Sequence, residues 1–208
     1  MRKVKKFKLT SEFIVDISGV KLFRIKALIE FGNVKAGDLG GYIEKEKNLS
    51  HMGNAWVSGN AQVFGNARVF GNAWVSGDAQ VFGNAWVSGN AQVFGNAWVS
   101  GDAQVFGNAQ VFGNARVFGN ARVSGDAQVF GDARVSGDKD YAYAHGFGSC
   151  NRTTTFFRLK DGDVGVRCGC FYGTLAQFRD NVCETHGETK KAQEYLMLAD
   201  LMDFRFKN

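Results

Sequence analysis

The side chains best suited to chemistry are the cysteines and histidines, and most of them lie late in the chain. Cys168 and Cys170 are separated by one residue, and Cys183 and His186 follow. Thiolate and imidazole groups are ligands that zinc prefers. On a strand, this spacing places the thiols of Cys168 and Cys170 on one face but limits the geometry of a chelate. We therefore expect structural thiols and no bound cofactor, and we retain zinc binding by these four residues as the alternative.

Acid–base chemistry has few candidate groups in the centre of the chain. No histidine occurs between His51 and His145. The carboxylates of this region occupy positions that carry asparagine in neighbouring repeats, and they are Asp78, Asp102, Asp126 and Asp132. General base catalysis requires a group whose pKa lies near neutral pH, whereas an Asp that alternates with Asn is typical of a turn. These residues are predicted to form turns, and the chain is predicted not to be an enzyme.

A six-residue repeat makes up the centre of the chain and positions the side chains of that region. Glycine recurs at every sixth position from Gly53 to Gly137, and each unit reads Gly, Asn or Asp, Ala, a variable residue, Val, then Ser or Phe. In a strand, the Ala and Val of a unit point to one face, and its variable residue and Ser or Phe point to the other. Gly followed by Asn turns the chain, because both tolerate left-handed backbone angles. The repeat predicts a mainly β fold, a parallel β-solenoid with an interior of Ala and Val.

The repeat resembles the left-handed β-helix of hexapeptide-repeat proteins. That family places three units on each triangular coil, so the resemblance implies about five coils of 18 residues. It also implies which outward side chains stack on each face. The first face is Trp56, Trp74, Gln92, Gln110 and Gln128; the second face is Gln62, Gln80, Trp98, Arg116 and Arg134; the third face is Arg68, Trp86, Gln104 and Arg122.

Both ends of the chain extend the resemblance to phage and prophage proteins of this kind. The segment 31–43, FGNVKAGDLGGYI, is similar to the start of their coil. Residues 156–171, which include KDG and CGCF, and residues 184–187 are similar to a carboxy-terminal module found beside it. Members of the family are often labelled transferases, but here no loop interrupts the repeat and no histidine base lies within it. An acyltransferase-like enzyme is therefore an alternative for which no catalytic residue can be named.

The outward positions carry an unusual number of aromatic rings. Each Trp precedes a Val-Ser step, and each Gln of the repeat is followed two residues later by Phe. An aromatic surface of this size seldom stays exposed on a monomer. The rings either pack on one another in ladders or form an interface, most simply in a homo-oligomer such as a dimer or trimer. The candidate binding residues are Trp56, Trp74, Trp86, Trp98, Phe106, Phe118, Arg116, Arg122 and Arg134.

Charge and composition argue against several further classes of function. The net charge is +5, and five of the first eight residues are basic. Such an arm is typical of a strand edge protected by lysine, so we expect no nucleic-acid partner. No apolar run approaches the roughly 20 residues of a membrane helix, and no secretory signal precedes the repeat. Reduced thiols in a bacterial cytoplasm are therefore expected.

Three regions are predicted: an amino-terminal β cap in 1–50, the β-helix in 51–138 and an α+β carboxy-terminal module in 139–208. The glycine-rich segment 37–41 is expected to form a turn into the first coil. In the module, strands are predicted over 153–159 and 164–170. One helix is expected to begin with a capping box at Thr174, and a second to run from about Thr189 to Met202.

The uninterrupted coil, the aromatic faces and the missing catalytic set predict a non-enzymatic, phage-derived interaction protein. It would bind a host bacterial protein, such as an antiviral defence component, and inhibit or redirect it through Trp74, Trp86 and Trp98. A second hypothesis is a small-molecule sponge that binds nucleotides at subunit interfaces. The arginines that would hold the phosphates are Arg116, Arg122, Arg134, Arg158 and Arg167. A virion structural component is a third hypothesis.

Overall fold

A stack of short strands runs through the centre of the computed structural model, which describes residues 4–148 and 152–207. Three longer strands precede the stack: β1 (Phe7–Val15), β2 (Lys21–Ala27) and β3 (Leu39–Ile43). Fourteen two-residue strands form it: β4 (Trp56–Val57), β5 (Gln62–Val63), β6 (Arg68–Val69), β7 (Trp74–Val75), β8 (Gln80–Val81), β9 (Trp86–Val87), β10 (Gln92–Val93), β11 (Trp98–Val99), β12 (Gln104–Val105), β13 (Gln110–Val111), β14 (Arg116–Val117), β15 (Arg122–Val123), β16 (Gln128–Val129) and β17 (Arg134–Val135). After them come β18 (Tyr141–Phe147), β19 (Arg152–Arg158), β20 (Val164–Cys168), β21 (Phe171–Thr174), α1 (Leu175–His186) and α2 (Lys190–Phe206).

The short strands stack in three parallel sheets, each of which joins every third strand along the chain. The first face is β4-β7-β10-β13-β16, the second is β5-β8-β11-β14-β17, and the third is β6-β9-β12-β15. Paired residues are 18 positions apart, as in Trp56 opposite Trp74 and Trp98 opposite Arg116. The predicted β-helix of about five coils is confirmed, and so are the three predicted stacks of outward residues.

The Ala and Val of each unit form the interior of the coil, as predicted. From Ala55 to Val135 every one of these side chains is buried. Small and β-branched side chains suit the narrow space between three strands, where close packing tolerates little change of size. The corner glycines have left-handed φ angles, and a Cβ on Gly95 would lie 3.1 Å from the backbone nitrogen of Gly113 in the next coil. The corners therefore approach one another too closely to carry a side chain at this position.

Asparagine side chains tie successive corners together. The side-chain amide of one corner donates to the side-chain oxygen of the corner one coil later, as Asn66 does to Asn84 at 3.2 Å. The contact recurs along all three corners: Asn60–Asp78, Asn66–Asn84, Asn72–Asn90, Asn84–Asp102, Asn90–Asn108, Asn96–Asn114, Asn108–Asp126 and Asn114–Asp132. The four aspartates predicted to form turns therefore lie at corners, where they accept hydrogen bonds in these ladders.

The two ends of the coil expose different peptide groups. The N–H groups of the outward residues, of the Ser or Phe positions and of many Asn or Asp positions donate to carbonyls of the next coil, as Trp56 does to Ala73. The acceptors in these bonds are the carbonyls of the Ala, Val and Gly positions. The amino-terminal end of the stack thus presents carbonyls, and the other end presents N–H groups. Because buried peptide groups need hydrogen-bond partners, the amino-terminal end requires a cap of donors and the opposite end requires a cap of acceptors.

Donor groups cap the amino-terminal end. The Lys6 ammonium, in a residue only 1% exposed, donates to the carbonyl of Ala55 at 2.7 Å. The side-chain amide of Asn48 donates to the carbonyl of Ala67 at 2.9 Å. On the second face, β3 lies parallel to β5 and takes the place of a further coil, while β2 and β1 extend the same sheet in antiparallel order. Cap and coil share one hydrophobic core.

Acceptor groups cap the opposite end. The Asp140 carboxylate accepts three hydrogen bonds from the last corner of the coil. The Asp138 carboxylate accepts from the backbone N–H of Arg122 at 2.9 Å, and the Thr155 hydroxyl accepts from that of Gln128 at 2.9 Å. The two ends are therefore closed by opposite chemistry, donors at one end and acceptors at the other.

The carboxy-terminal module is an antiparallel sheet in the order β18-β19-β20-β21 that packs against α1 and α2. Thr174 accepts from the N–H of Gln177, whose side chain accepts from the N–H of Thr174, so the predicted capping box is confirmed. The apolar residues of α2 lie in the module's own core: Ala192, Tyr195, Ala199 and Met202 are buried, and Leu196 is half-buried. No helix within the described residues is long and apolar enough to cross a membrane.

The glycine-rich segment 37–41 differs from its prediction as a turn. Gly37 turns the chain with a φ angle of 97°, but Gly40 and Gly41 lie inside β3. A Cβ on Gly41 would lie 2.6 Å from the carbonyl oxygen of Ala61. Glycine is needed here because the strand backbone approaches the first coil directly. The sequence also did not predict β18 or β21, which carry few of the usual apolar alternations.

Candidate functional site

The aromatic rings of the outer surface stack on one another within the chain. Along one corner of the coil, Phe94 and Phe112 have ring centroids 4.7 Å apart, and Phe112 and Phe130 have centroids 4.5 Å apart. Tyr172 of β21 continues this column with an edge contact to Phe130 at 4.7 Å. Ladder packing is thus present, and seven of the eight Phe rings of the repeat are half-buried, whereas Phe118 is exposed. The interface between copies of the chain stays a prediction.

Tryptophan occupies the space that serine leaves in these columns. Ser100 follows Phe82 along its corner, and the Trp98 ring contacts Phe82 edge-on at a centroid distance of 6.1 Å. Trp86 contacts Phe70 in the same way at 6.0 Å. A phenylalanine in place of the serine would compete for this space. For Trp86 and Trp98, the pairing with a Ser two residues later therefore has a packing explanation.

The tryptophans differ in how far a partner could reach them. Trp56 is only 2% exposed, because Phe31 of the amino-terminal cap packs edge-on against it at 5.4 Å. Contrary to the prediction, Trp56 is therefore not available as a binding residue: the segment that closes the coil also covers this ring. Trp74 and Trp98 are half-buried. Trp86 is 44% exposed and is the most accessible of the four.

The remaining candidate residues of the second face are partly engaged in contacts within the coil. The Arg116 guanidinium lies over the Trp98 ring, 4.3 Å from its centroid. Arg134 donates to the carbonyl of Asn114 at 3.2 Å, and burial together with the charge of Arg116 lowers the pKa of Arg134. Phe118 is 37% exposed at the corner that follows this face. Arg116 and Arg134 thus make contacts within the coil, and Phe118 is the exposed ring beside them.

Exposed aromatic and cationic groups coincide on the third face. Arg68, Trp86 and Arg122 are all exposed, and half-buried Gln104 lies between Trp86 and Arg122. The strand register pairs Arg68 with Trp86, Trp86 with Gln104, and Gln104 with Arg122. Successive strands are about 4.8 Å apart, so the four side chains form one short line parallel to the axis of the coil. Phe106, at the corner that follows this face, is half-buried beneath the Arg122 guanidinium, which lies 5.7 Å from its ring centroid.

A groove of about 990 Å³ opens at the amino-terminal end of the third face. Its lining combines apolar and basic side chains, which include Ile29, Met52, Phe70, Lys45, Lys47 and Arg68. Lys45 lies 3.4 Å from Glu44. Neither Lys47 nor Arg68 forms an ion pair within the described residues. The groove is therefore both apolar and positively charged.

His51 lines this groove but is held in place by the cap. Its Nδ1 atom accepts from the backbone N–H of Lys6 at 3.2 Å, and its ring stacks on Phe7 at 4.3 Å. Because Nδ1 is an acceptor, Nε2 carries the hydrogen, and it lies 3.8 Å from the Glu46 carboxylate. In this arrangement Nδ1 is engaged as an acceptor, and Nε2 is buried without a hydrogen-bond partner within the described residues.

A second cavity, of about 440 Å³, lies at the other end of the third face, where β15 meets the carboxy-terminal module. Arg122 lines it together with Arg205 from the last turn of α2. Arg122 is one of the five arginines that the sequence indicated as phosphate-binding residues. Arg205 was not a candidate from the sequence, because no sequence pattern indicates that the end of α2 reaches the coil.

The cysteines that the structure describes lie in different environments and do not form a cluster of zinc ligands. Cys168 accepts from the Thr154 hydroxyl at 3.2 Å and lies 3.8 Å from the Tyr195 hydroxyl, whereas Cys170 and Cys183 are exposed. Within the described part of the chain, no group of three or more His, Cys, Asp or Glu side chains is placed to hold a metal ion. The alternative of a metal site thus has no support from the geometry. Cys150 lies outside the described residues.

The comparison with protein families agrees with this architecture. A family model described as "YdcK Beta solenoid repeat" matches residues 61–77, 91–107 and 109–125, all of them within the stacked coil. No curated protein matches the chain. Together with the stacked parallel strands, the match identifies the chain as a β-solenoid repeat protein.

Proposed function

We propose that the chain is a non-enzymatic binding protein that holds another protein against its third face. The observation that carries this proposal is the exposure of Trp86 between Arg68 and Arg122, with a cavity at each end of the same face. Interface centres are enriched in Trp and Arg, because both offer a large contact area together with polar groups. On the first face Phe31 covers Trp56, and on the second face the Trp98 ring is half-buried beneath the Arg116 guanidinium, so Trp86 of the third face is the most accessible indole.

The coil suits binding because its surface is rigid before the partner arrives. Each inner strand of the third face is hydrogen-bonded to a strand on both sides, and the corner ladders hold the turns. Binding to a preorganised surface requires little further ordering of backbone or side chains. A flat face several strands long can therefore contact a folded protein without a change of its own shape.

Charge defines the chemistry of the partner. Lys47, Arg68 and Arg122 lie along this face without an ion pair among the residues described. A complementary surface would be acidic with apolar side chains that enter the groove of about 990 Å³. Because segments 31–43 and 156–171 resemble those of phage and prophage proteins, we propose that the partner is a protein of the bacterial host, bound in the cytoplasm and thereby inhibited or redirected.

The test is recovery of a partner from a nuclease-treated bacterial lysate by the wild-type chain and by single variants. Trp86→Ala and Arg68→Gln are expected to reduce recovery of a specific acidic protein at least tenfold. Trp98→Ala is the matched control, because it removes an indole from the second face, and it is expected to leave recovery unchanged. Thermal unfolding of each variant shows that the coil is intact.

The proposal fails if the wild type recovers no protein above empty beads, or if Trp86→Ala and Trp98→Ala behave alike. Recovery that disappears on nuclease treatment would indicate a nucleic-acid partner instead. Recovery of only the chain itself, with a doubled or tripled mass in light scattering, would assign the third face to a homo-oligomer.

A further inference from the structure

The cavity between the coil and the carboxy-terminal module has a lining unlike that of any other surface of the chain described above. The coil contributes Phe106, Arg122 and Ser124, and the module contributes Tyr141, Tyr143 and Arg205. Arg205 lies more than sixty positions after the other lining residues, and its hydrogen bond to the carbonyl of Asp138 spans a separation of 67 positions. The cavity exists only when the module is docked on the last coil.

Two guanidinium groups line this cavity without a carboxylate partner. Neither Arg122 nor Arg205 forms an ion pair with any residue in 4–148 or 152–207. The carboxylate of Asp138 also lines the cavity, but one of its oxygens accepts from the backbone N–H of Arg122 at 2.9 Å. The formal charge of the lining is therefore positive, and most of the guanidinium donors have no acceptor from the protein.

The two arginines are held by the backbone and rings around them. The Tyr141 hydroxyl donates to the carbonyl of Arg122 at 2.5 Å, and burial raises the pKa of this phenol. The Arg122 side chain lies over the Phe106 ring. Arg205 is placed by its hydrogen bond to the carbonyl of Asp138 at 3.1 Å. Both arginines are exposed, and the ring beneath Arg122 and the hydrogen bond of Arg205 limit the positions of their side chains, which reduces the loss of side-chain freedom when an anion binds.

We propose that this cavity binds a small phosphorylated molecule, with its phosphate between Arg122 and Arg205. Guanidinium groups bind phosphate through paired, charge-assisted hydrogen bonds. The hydroxyls of Ser124 and Tyr143 supply further polar groups in the same lining. The site is open to solvent, and its volume of about 440 Å³ exceeds what a phosphate ion fills. The Tyr143 ring, which is 40% exposed, offers a flat surface to a base or sugar, so a mononucleotide is the class of ligand that fits best.

This site shares Arg122 and its cavity with the third face that is proposed to bind a protein. The experiment separates the two proposals because it uses the purified chain without any other protein. Isothermal titration and thermal unfolding are measured with inorganic phosphate, pyrophosphate and adenosine mononucleotides, at constant ionic strength. The wild type is expected to bind a mononucleotide saturably and more tightly than phosphate, with a higher Tm in its presence. Arg122→Gln and Arg205→Gln are each expected to weaken this binding at least tenfold.

Arg116→Gln is the matched control, because it removes an exposed arginine that lies over Trp98 and lines none of the cavities described. It is expected to bind the ligand like the wild type, as is Trp86→Ala. Absence of saturable binding by the wild type overturns the proposal, and so does equal binding by the Arg122→Gln and Arg116→Gln variants. If both Arg122→Gln and Arg205→Gln lower the Tm without ligand, the double variant with Lys at both positions must restore part of the binding; failure to do so also counts against the site.

Discussion

The side-chain amide of Asn108 donates to the carboxylate of Asp126 at 2.9 Å, one coil further along the same corner. Asn72 donates to Asn90 and Asn90 to Asn108, both at 3.1 Å, so the amides of this corner all point in one direction. A carboxylate can only accept, whereas an amide both donates and accepts. Asp126 therefore accepts as the last member of this ladder.

Asn108→Asp is expected to destabilise the coil by about 1 kcal/mol at neutral pH, because a lost hydrogen bond and two facing carboxylates replace the contact with Asp126. Repulsion between the carboxylates raises the pKa of one of them in the folded state. The loss should therefore shrink as the pH falls through that pKa, since a protonated carboxyl can donate. Urea unfolding at pH 7 and pH 4 measures both effects.

Asp126→Asn is the control, because an amide oxygen at this position still accepts from Asn108. Its unfolding free energy should match that of the wild type within about 0.5 kcal/mol. If both variants destabilise the protein equally, the direction of the hydrogen bonds in the ladder does not contribute to stability.

Gly95→Ala is expected to destabilise the protein by about 2 kcal/mol, because the residue has a φ angle of 70° and its new Cβ would press on Gly113. Gly137→Ala is the matched control: its φ is −161° and nothing lies within 4 Å of the added Cβ. That change should be neutral or slightly stabilising, because alanine restricts the unfolded chain. Denaturant unfolding compares the two, and an equal loss would contradict the role assigned to the corner.

The repeat made much of the fold predictable. A strict period of six fixes which residues point inward, so the Ala and Val core and the stacking of Trp98 on Arg116 follow from register alone. The same pattern could not show that Trp56 is buried, because Phe31 covers it from outside the repeat. Side-chain periodicity describes a strand and its neighbours, not the segments that close the ends of a coil.

The candidate site was predictable only in part for the same reason. Trp86 and Arg122 belong to the repeat, and both were candidates. Arg205 and the groove beside His51 depend on where the cap and the module dock. Those positions are set by single contacts far apart in sequence, such as the hydrogen bond from Arg205 to the carbonyl of Asp138, and no short motif records them.

Asp140→Ala is expected to destabilise the protein by about 2 kcal/mol, because the last corner of the coil would lose an acceptor of three hydrogen bonds. Asp161→Ala removes an exposed aspartate that accepts one local hydrogen bond from Asp163, and it should change the unfolding free energy by less than about 0.5 kcal/mol. Thermal unfolding of the two variants gives the comparison. Similar Tm values would mean that Asp140 does not cap the coil.

Lys6 is the counterpart of Asp140 at the other end, and it makes the stability of the protein depend on pH. Burial lowers the pKa of its ammonium group from 10.5 to about 8 in the folded protein. Between these two values the unfolded chain binds the proton more strongly than the folded one, so this group adds stability as the pH rises from 8 toward 10.5. The neutral amine still donates to the carbonyls of Ala55 and Gly53.

The unfolding free energy of the wild type, minus that of Lys6→Met, should therefore increase between pH 7.5 and pH 10 on the order of 1 to 3 kcal/mol, since one pKa unit corresponds to about 1.4 kcal/mol. Taking the difference removes the contributions of other groups that titrate in this range. Lys8→Met is the control, because that lysine is exposed on β1, and its difference from the wild type should stay constant over the same pH range. A wild-type advantage over Lys6→Met that is flat or falls with rising pH would show that the Lys6 ammonium is not desolvated at the cap.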